Sequence, residues 1–269
     1  MNTKRPAQKN IQAAKIVPIS IAQYPGRKHW FVQHAATFFK AQTCRTLIEP
    51  FAGSGVVGLS LLHAGIIERL VLVEKDPRIA CLLKGIRDDA ELADRYASFE
   101  CTRPNVEELL HNERSAFRYL VQSRCSNRAK FDGGLRTTID ERWCRDMVVR
   151  NIRLVQAIRE RITVIEGDGF EVMPLYAGNQ DAGCFADPPY SADPSSKGHT
   201  VFLHHKLNHR KLFSLMASWQ GSWLLTEDNS RKTRRLALCY RFTSKRFLMN
   251  TSDNKKKHEL VIWRKRRIF

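Results

Sequence analysis

Between Thr46 and Glu74 the chain reads as strand, glycine turn, helix and strand, and no other stretch restricts the fold as tightly. Thr46-Leu47-Ile48-Glu49-Pro50 is a short apolar strand. Gly53-Ser54-Gly55-Val56-Val57-Gly58 turns the chain into a helix over roughly 55–64, and Arg69-Leu70-Val71-Leu72-Val73-Glu74 is the next strand. A strand whose apolar run is unbroken by polar alternation is covered on both faces, as in a parallel sheet. Strands separated by helices put those helices on the two faces of such a sheet.

The pattern continues on either side. Trp30, Phe31, Ala35, Phe38 and Phe39 give residues 27–40 a helical period, and Pro77 suits the first turn of a helix after Glu74. Regular alternation is then lost for about 80 residues, an Arg-rich and mostly helical stretch with a turn signal at Asp132-Gly133-Gly134. It resumes with a strand at Ile162–Ile165, a helix from about 170 and a strand over 183–186. A polar loop at 191–200, a helix over 206–218 and a strand from Ser222 to Thr226 follow. A last helix leads to strands near 240–248 and 258–264. The expected fold class is α/β, a mostly parallel sheet with a C-terminal antiparallel hairpin. Residues 1–20 read as a basic arm, 21–88 and 160–269 as the main domain, and 89–159 as an inserted, mainly helical module.

Charge is distributed unevenly. The chain carries +18, and residues 231–269 hold 14 Lys and Arg against 2 Asp and Glu, while residues 114–159 hold 11 against 4. Such blocks suit a polyanion, because each neutralised phosphate releases counterions. Seven scattered cysteines without a CxxC point to reduced thiols in a cytosol. No apolar run has membrane-spanning length and the polar start has no apolar signal segment. His204, His205 and His209 lack a completing Cys or acid and read as surface histidines, so no metal is expected.

The turn at Gly53–Gly58, with Glu74 at the end of the next strand, has the spacing of a dinucleotide site. Its physics is shared by S-adenosyl-L-methionine, a cofactor without phosphates: glycines let backbone approach a nucleoside, and the acid takes ribose hydroxyls. Ligands of open α/β sheets bind beyond the strands' carboxyl ends. Four such ends carry Phe51–Gly55, Glu74, Asp168 (in Glu166-Gly167-Asp168-Gly169-Phe170) and Asp187-Pro188-Pro189-Tyr190. Asp168 also reads as a helix N-cap. The tetrapeptide combines an acceptor carboxylate, a stiff diproline and an aromatic ring, a set that can hold a planar amine by its hydrogens and stack on its face.

Together these residues resemble the Dam-like, class α amino-group DNA adenine methyltransferases, from about residue 20 to the end. Tyr24-Pro25-Gly26-Arg27-Lys28 is similar to the family's aromatic-x-Gly-x-Lys element, with Tyr24 in place of the commoner Trp. Glu49-Pro50-Phe51-Ala52-Gly53-Ser54-Gly55 is similar to its cofactor loop, and Glu74 stands where the family usually has Asp. Asp187-Pro188-Pro189-Tyr190 matches its catalytic tetrapeptide. The 89–159 insertion falls where the class has its target-recognition module, and Ser126–Arg136 looks like that module's loop and hairpin.

The resemblance implies a Rossmann-like methyltransferase sheet. It implies S-adenosyl-L-methionine as cofactor with S-adenosyl-L-homocysteine as product, and double-stranded DNA as partner; a monomer is the default expectation, in the cytoplasm to which the cysteines point. The catalytic residues would be Asp187, Pro188, Pro189 and Tyr190. The cofactor residues would be Tyr24, Lys28, Pro50, Phe51, Ala52, Gly53, Ser54, Gly55, Glu74, Asp168, Gly169 and Phe170, with Lys28 alternatively a solvated lysine. Arg124, Arg128, Lys130 and Arg136 are candidates for DNA contact, to phosphates or guanine edges, or form a solvated basic face. Asn127 reads adenine or caps a turn. RNA adenine methylation, an NAD-dependent oxidoreductase and a non-catalytic nucleic-acid binder are the other readings.

Overall fold

The computed structural model describes residues 15–24, 26–127, 131, 133–189, 207–250 and 256–264. Seven strands, β1 (Thr46–Glu49), β2 (Arg69–Glu74), β3 (Ile162–Glu166), β4 (Ala182–Ala186), β5 (Trp223–Asp228), β6 (Thr243–Asn250) and β7 (Lys256–Trp263), form one sheet in the order β3-β2-β1-β4-β5-β7-β6. The first five run parallel, and β7 lies antiparallel to both β5 and β6. The expected α/β class, mostly parallel with a terminal hairpin, is the observed one.

Helices α1 (Val32–Lys40), α2 (Val56–His63) and α3 (Pro77–Asp88) cover one face, and α8 (Gly169–Ala177), α9 (His209–Ser218) and α10 (Arg231–Cys239) the other. The strands show why both faces are dry. Leu47, Leu70, Leu72, Phe185, Leu224 and Val261 point into the first core, while their neighbours Ile48, Val71, Val73, Cys184, Ala186, Leu225, Leu260 and Ile262 point into the second. Successive side chains of a strand face opposite ways, so both members of each pair are apolar.

Between α3 and β3 lie α4 (Leu92–Ser98), α5 (Arg103–Asn112), α6 (Ala116–Cys125) and α7 (Arg145–Gln156). Tyr96, Val106, Phe117, Trp143 and Ile152 from this stretch join the same buried cluster as Leu47 and Leu70. These helices therefore extend the first core rather than build a second one. Ser126 and Leu135 form an antiparallel bridge that closes a short hairpin after α6.

Element boundaries shift for local reasons. The helix expected over 27–40 begins only at Val32, after Gly26 in the left-handed region (φ 78°) and a 3-10 turn at His29–Phe31. The helix expected over 206–218 begins at His209, where the Asn208 side chain accepts the Lys211 N–H. Of the basic arm expected over 1–20, residues 1–14 lie outside the described residues. Ile19 is buried, with its N–H on the Ser60 hydroxyl. The loop at 191–200, with Pro25, Arg128, Lys130, Asp132, Tyr190, His204 and His205, is also outside the described residues. Among the described residues no helix is long and apolar enough to cross a membrane.

Candidate active site at the carboxyl edge of the sheet

The strand order reverses between β1 and β4, the switch point beyond whose strand ends ligands of open α/β sheets bind. The β1 end turns through Pro50–Gly55 into α2. Gly53 and Gly55 adopt left-handed φ of 51° and 63°, which a side chain would resist. The turn is pinned by the Ala52 N–H on the Val73 carbonyl (3.0 Å) and the Gly53 N–H on Glu74 Oε2 (2.8 Å). Glu74 Oε1 accepts the Asp76 N–H at 2.9 Å. Burial raises the Glu74 pKa, against the pull of these amides. Phe51 and Ser54 are half-buried and the rest of the turn is buried.

Tyr24 lies against this turn: a Cβ on Gly53 would come within 2.9 Å of its ring. Burial, then Glu74, Asp76 and Asp187, raise its hydroxyl pKa well above the ordinary value. Tyr24 thus packs on the glycine turn and feels the charge of Asp187.

Asp187 follows directly on β4. Its Oδ1 accepts the Thr226 hydroxyl at 2.6 Å and pairs with Lys28 Nζ at 2.8 Å. Lys28 also pairs with Glu259 Oε1 of β7 at 3.1 Å and donates to the Gly26 carbonyl. Lys28 is only 3% exposed and Glu259 only 1%. Burial works against the lysine's charge, but Asp187 and Glu259 outweigh it and raise its pKa. The reading of Lys28 as a solvated lysine is thereby corrected: the neighbouring Gly26 carbonyl and the distant Asp187 and Glu259 carboxylates enclose its ammonium. Pro188 is buried and Pro189 half-buried, while Tyr190 lies outside the described residues.

Asp168 caps α8, accepting the Phe170 N–H at 2.9 Å, and pairs with Lys75 at 2.8 Å. Partial burial opposes its charge, and the Lys75 and Phe170 bonds outweigh this and lower its pKa. Gly169 packs on Pro50 so closely that a Cβ would meet the Pro50 carbonyl oxygen at 2.1 Å. Phe170 meets Phe51 edge to face at 5.8 Å, an apolar wall on the β3 side of the turn.

Several residues of this edge escaped sequence reasoning. Glu49 is buried beneath the turn, and its carboxylate accepts the N–H of Gly58 in the first turn of α2. Burial pushes its pKa up to about 8, with the Gly58 amide opposing and Asp187 adding to the rise. His209, read as a surface histidine, is 4% exposed and bonds through Nδ1 to Glu227 Oε1 at 2.9 Å. The correction follows from its place at the inward start of α9, over the end of β5. Burial raises the Glu227 pKa, with His209 opposing. The signal for Glu227 and Glu259 was an acid bordering the apolar run of its strand, Trp223-Leu224-Leu225 in one and Leu260-Val261-Ile262 in the other.

The candidate DNA contacts divide. Arg124 is fully buried at 0% exposure, with Nη2 on the Trp143 carbonyl at 3.3 Å, which corrects its placement on a solvated basic face. Asn127 is exposed, and its side chain donates to the Leu135 carbonyl across the hairpin. Arg136 pairs with Glu141.

No family model matches the chain, and no curated protein does. Among solved structures it is similar to Precorrin-6y C5,15-methyltransferase from Geobacter metallireducens GS-15, at 10% identity, 92% of this chain, 94% of that chain and a TM-score of 0.44. It is similar to the rRNA methyltransferase aviRa from Streptomyces viridochromogenes, at 15% identity, 93% and 90% of the two chains and a TM-score of 0.43. An rRNA methylase from Streptococcus thermophilus gives 11% identity, 87% and 96% coverage and a TM-score of 0.38.

Proposed function

We propose that this chain transfers a methyl group from S-adenosyl-L-methionine to the exocyclic 6-amino group of adenine in DNA. The observation that carries the proposal is the setting of Asp187. Its carboxylate stands at the end of β4, held by Thr226 and Lys28, and Tyr24 packs on the glycine turn.

The turn fits this cofactor better than a dinucleotide. A pyrophosphate would be drawn to the amide groups at the start of α2. There the Gly58 N–H already belongs to the Glu49 carboxyl, and Glu74 holds the Gly53 N–H. With these amides already taken by acid side chains, the turn suits a phosphate-free ligand. Pro50–Gly55 would cradle it, Glu74 would take the ribose hydroxyls, and Phe51 with Phe170 would line an apolar side. When bound, S-adenosyl-L-methionine supplies a methyl group made electrophilic by its sulfonium.

The amine is a poor nucleophile because its lone pair is delocalised into the adenine ring. Asp187 accepts one amine N–H and the Pro188 carbonyl accepts the other, which favours pyramidal nitrogen. Lys28, Asp187 and Glu259 together carry one net negative charge in a buried setting. That charge stands where the amine nitrogen becomes positive, and it is preorganised by Thr226 before the base arrives. Tyr190 stacks on the base, which has to leave a duplex to reach this depth. The Arg-rich helices α4–α7 and the hairpin bearing Asn127 supply the DNA-facing surface.

The test incubates purified protein with tritiated S-adenosyl-L-methionine and either unmethylated DNA or RNA, then maps the modified base. The expected result is 6-methyladenine in DNA. Label confined to RNA assigns the same amine chemistry to an RNA substrate, and no label in either overturns the assignment.

A further inference from the structure

Two thiols meet among the helices inserted between α3 and β3. Cys101 stands just before α5 and Cys125 is the last residue of α6, and their sulfurs are 3.7 Å apart in a thiol hydrogen bond. Packing holds them there. Phe99 meets Phe117 of α6 edge to face at 5.3 Å, which lays the segment before α5 against that helix. Cys125 is on the inward face of α6 at 0% exposure, whereas Cys101 is half-buried and keeps part of its surface in solvent.

The two sulfurs are not equivalent. The hydrogen bond from the Cys125 thiol lowers the Cys101 pKa, with burial and Asp140 opposing and Arg145 assisting. Cys125 moves the other way, first because of that bond and then because of burial. Thiolate is the form that attacks an oxidant, and a partly exposed thiolate backed by a second thiol is the arrangement of a redox-sensing cysteine and its resolving partner. Burial instead raises the pKa of Cys44, Cys81 and Cys184. The foot of the hairpin rests on the same residues. The Cys125 carbonyl accepts the Arg136 N–H at 2.9 Å, and Ser126 bridges to Leu135. Arg103, two residues after Cys101, donates to the Arg136 carbonyl at 2.6 Å. A change at the sulfur pair therefore reaches both arms of the hairpin that carries Asn127.

We propose that Cys101 and Cys125 form a reversible oxidation site for hydrogen peroxide, and that their disulfide resets the hairpin and weakens the hold on nucleic acid. The Cys101 thiolate attacks one peroxide oxygen: an S–O bond forms, the O–O bond breaks, and the hydroxide that leaves takes a proton from solvent. The Cys125 sulfur then attacks the Cys101 sulfenic acid. The S–S bond forms, the S–O bond breaks, and the departing hydroxide takes the Cys125 proton as water. Two electrons pass from the thiols to the peroxide, and a thiol reductant returns them. A disulfide needs about 2.05 Å, so the sulfurs, now 3.7 Å apart, close by about 1.6 Å and draw Cys125 away from Arg136. The effect on binding rests on the nucleic-acid reading above; the thiol pair does not.

The test uses the full chain with Cys144→Ser and Cys239→Ser, which removes the exposed thiols. It is treated with an equimolar amount of hydrogen peroxide, alkylated and digested with trypsin. The expected product is a peptide pair joined through Cys101 and Cys125 and released by dithiothreitol. With Cys125→Ser added, Cys101 should stop at the sulfenic acid and be captured by a 1,3-dione probe. Absence of the linked pair, or dione capture no greater at Cys101 than at the half-buried Cys81, overturns the oxidation site. Anisotropy with a labelled DNA duplex reads the consequence. Oxidation is expected to weaken binding about tenfold, an ordinary coupling between two sites, with recovery in dithiothreitol and no response in Cys101→Ser. Unchanged affinity in fully linked protein overturns the link to the hairpin. A linked pair in a protein that methylates neither DNA nor RNA sinks the proposed activity and leaves the oxidation site standing.

Discussion

An amine that reaches Asp187 has to share the carboxylate with Lys28, and this makes the pair the most informative place to substitute. Asp187→Ala is expected to reduce transfer by about 100- to 1,000-fold, the range of a lost charge stabiliser. Cofactor affinity measured by calorimetry should stay within about threefold; equal activity in the variant would refute the assignment. Lys28→Met leaves Asp187 and Glu259 facing each other without a cation. Removing one partner of a buried ion pair costs about 3–5 kcal/mol. The double variant Lys28→Met with Glu259→Gln should recover part of that loss in a denaturation cycle, and strictly additive losses would contradict the coupling. Glu49 predicts a pH dependence. Its folded pKa is about 8, above the ordinary 4.5, so the folded state holds a proton that the unfolded chain releases. Its contribution is complete below about pH 4.5 and is lost as pH rises through 8, at up to about 1.4 kcal/mol per pH unit. Glu49→Gln should flatten the melting temperature of the protein between pH 6 and 9 relative to wild type.

At the scale of elements, the carboxyl edge depends on how closely α8 approaches the glycine turn. Gly169→Ala would drive a Cβ into the Pro50 backbone carbonyl, and backbone cannot swing aside as a side chain can. The expected cost is about 1–3 kcal/mol, read by urea denaturation. Gly134→Ala in the hairpin has nothing within 4 Å and should be neutral, which makes it the control. The same elements show what could be read beforehand. β1, β2 and β4 were legible because a strand covered on both faces carries an apolar run unbroken by polar alternation. The inward placement of Arg124 was legible too: Phe117, Leu120, Val121, Arg124 and Cys125 are spaced as one helix face, all buried. Its charge drew the eye to solvent and its spacing did not. Lys28 was another matter. Its partner Glu259 comes from the far end of the chain through the β5–β7 pairing, and no local pattern announces a contact of that range.

On the scale of the whole molecule, a chain of net charge +18 places its buried acids together. Glu74, Asp76, Glu227 and Glu259, with the half-buried Asp187, are gathered at one end of the sheet, while the arginines populate helices α4–α7 and the C-terminal block. Apart from the buried Lys28 and Arg124, charge is thus sorted by depth. The outer surface draws a polyanion from solution at long range. The crevice then turns away whatever carries phosphate inward and admits what projects from the strand uncharged. Adenosine should accordingly inhibit the activity at concentrations where ATP does not, when both are titrated at constant ionic strength; equal inhibition by ATP would contradict the sorting. A base can enter only by leaving its own phosphates behind at the rim, so the acids gathered beyond β2, β4 and β5 act as a sieve for charge as well as a place for chemistry.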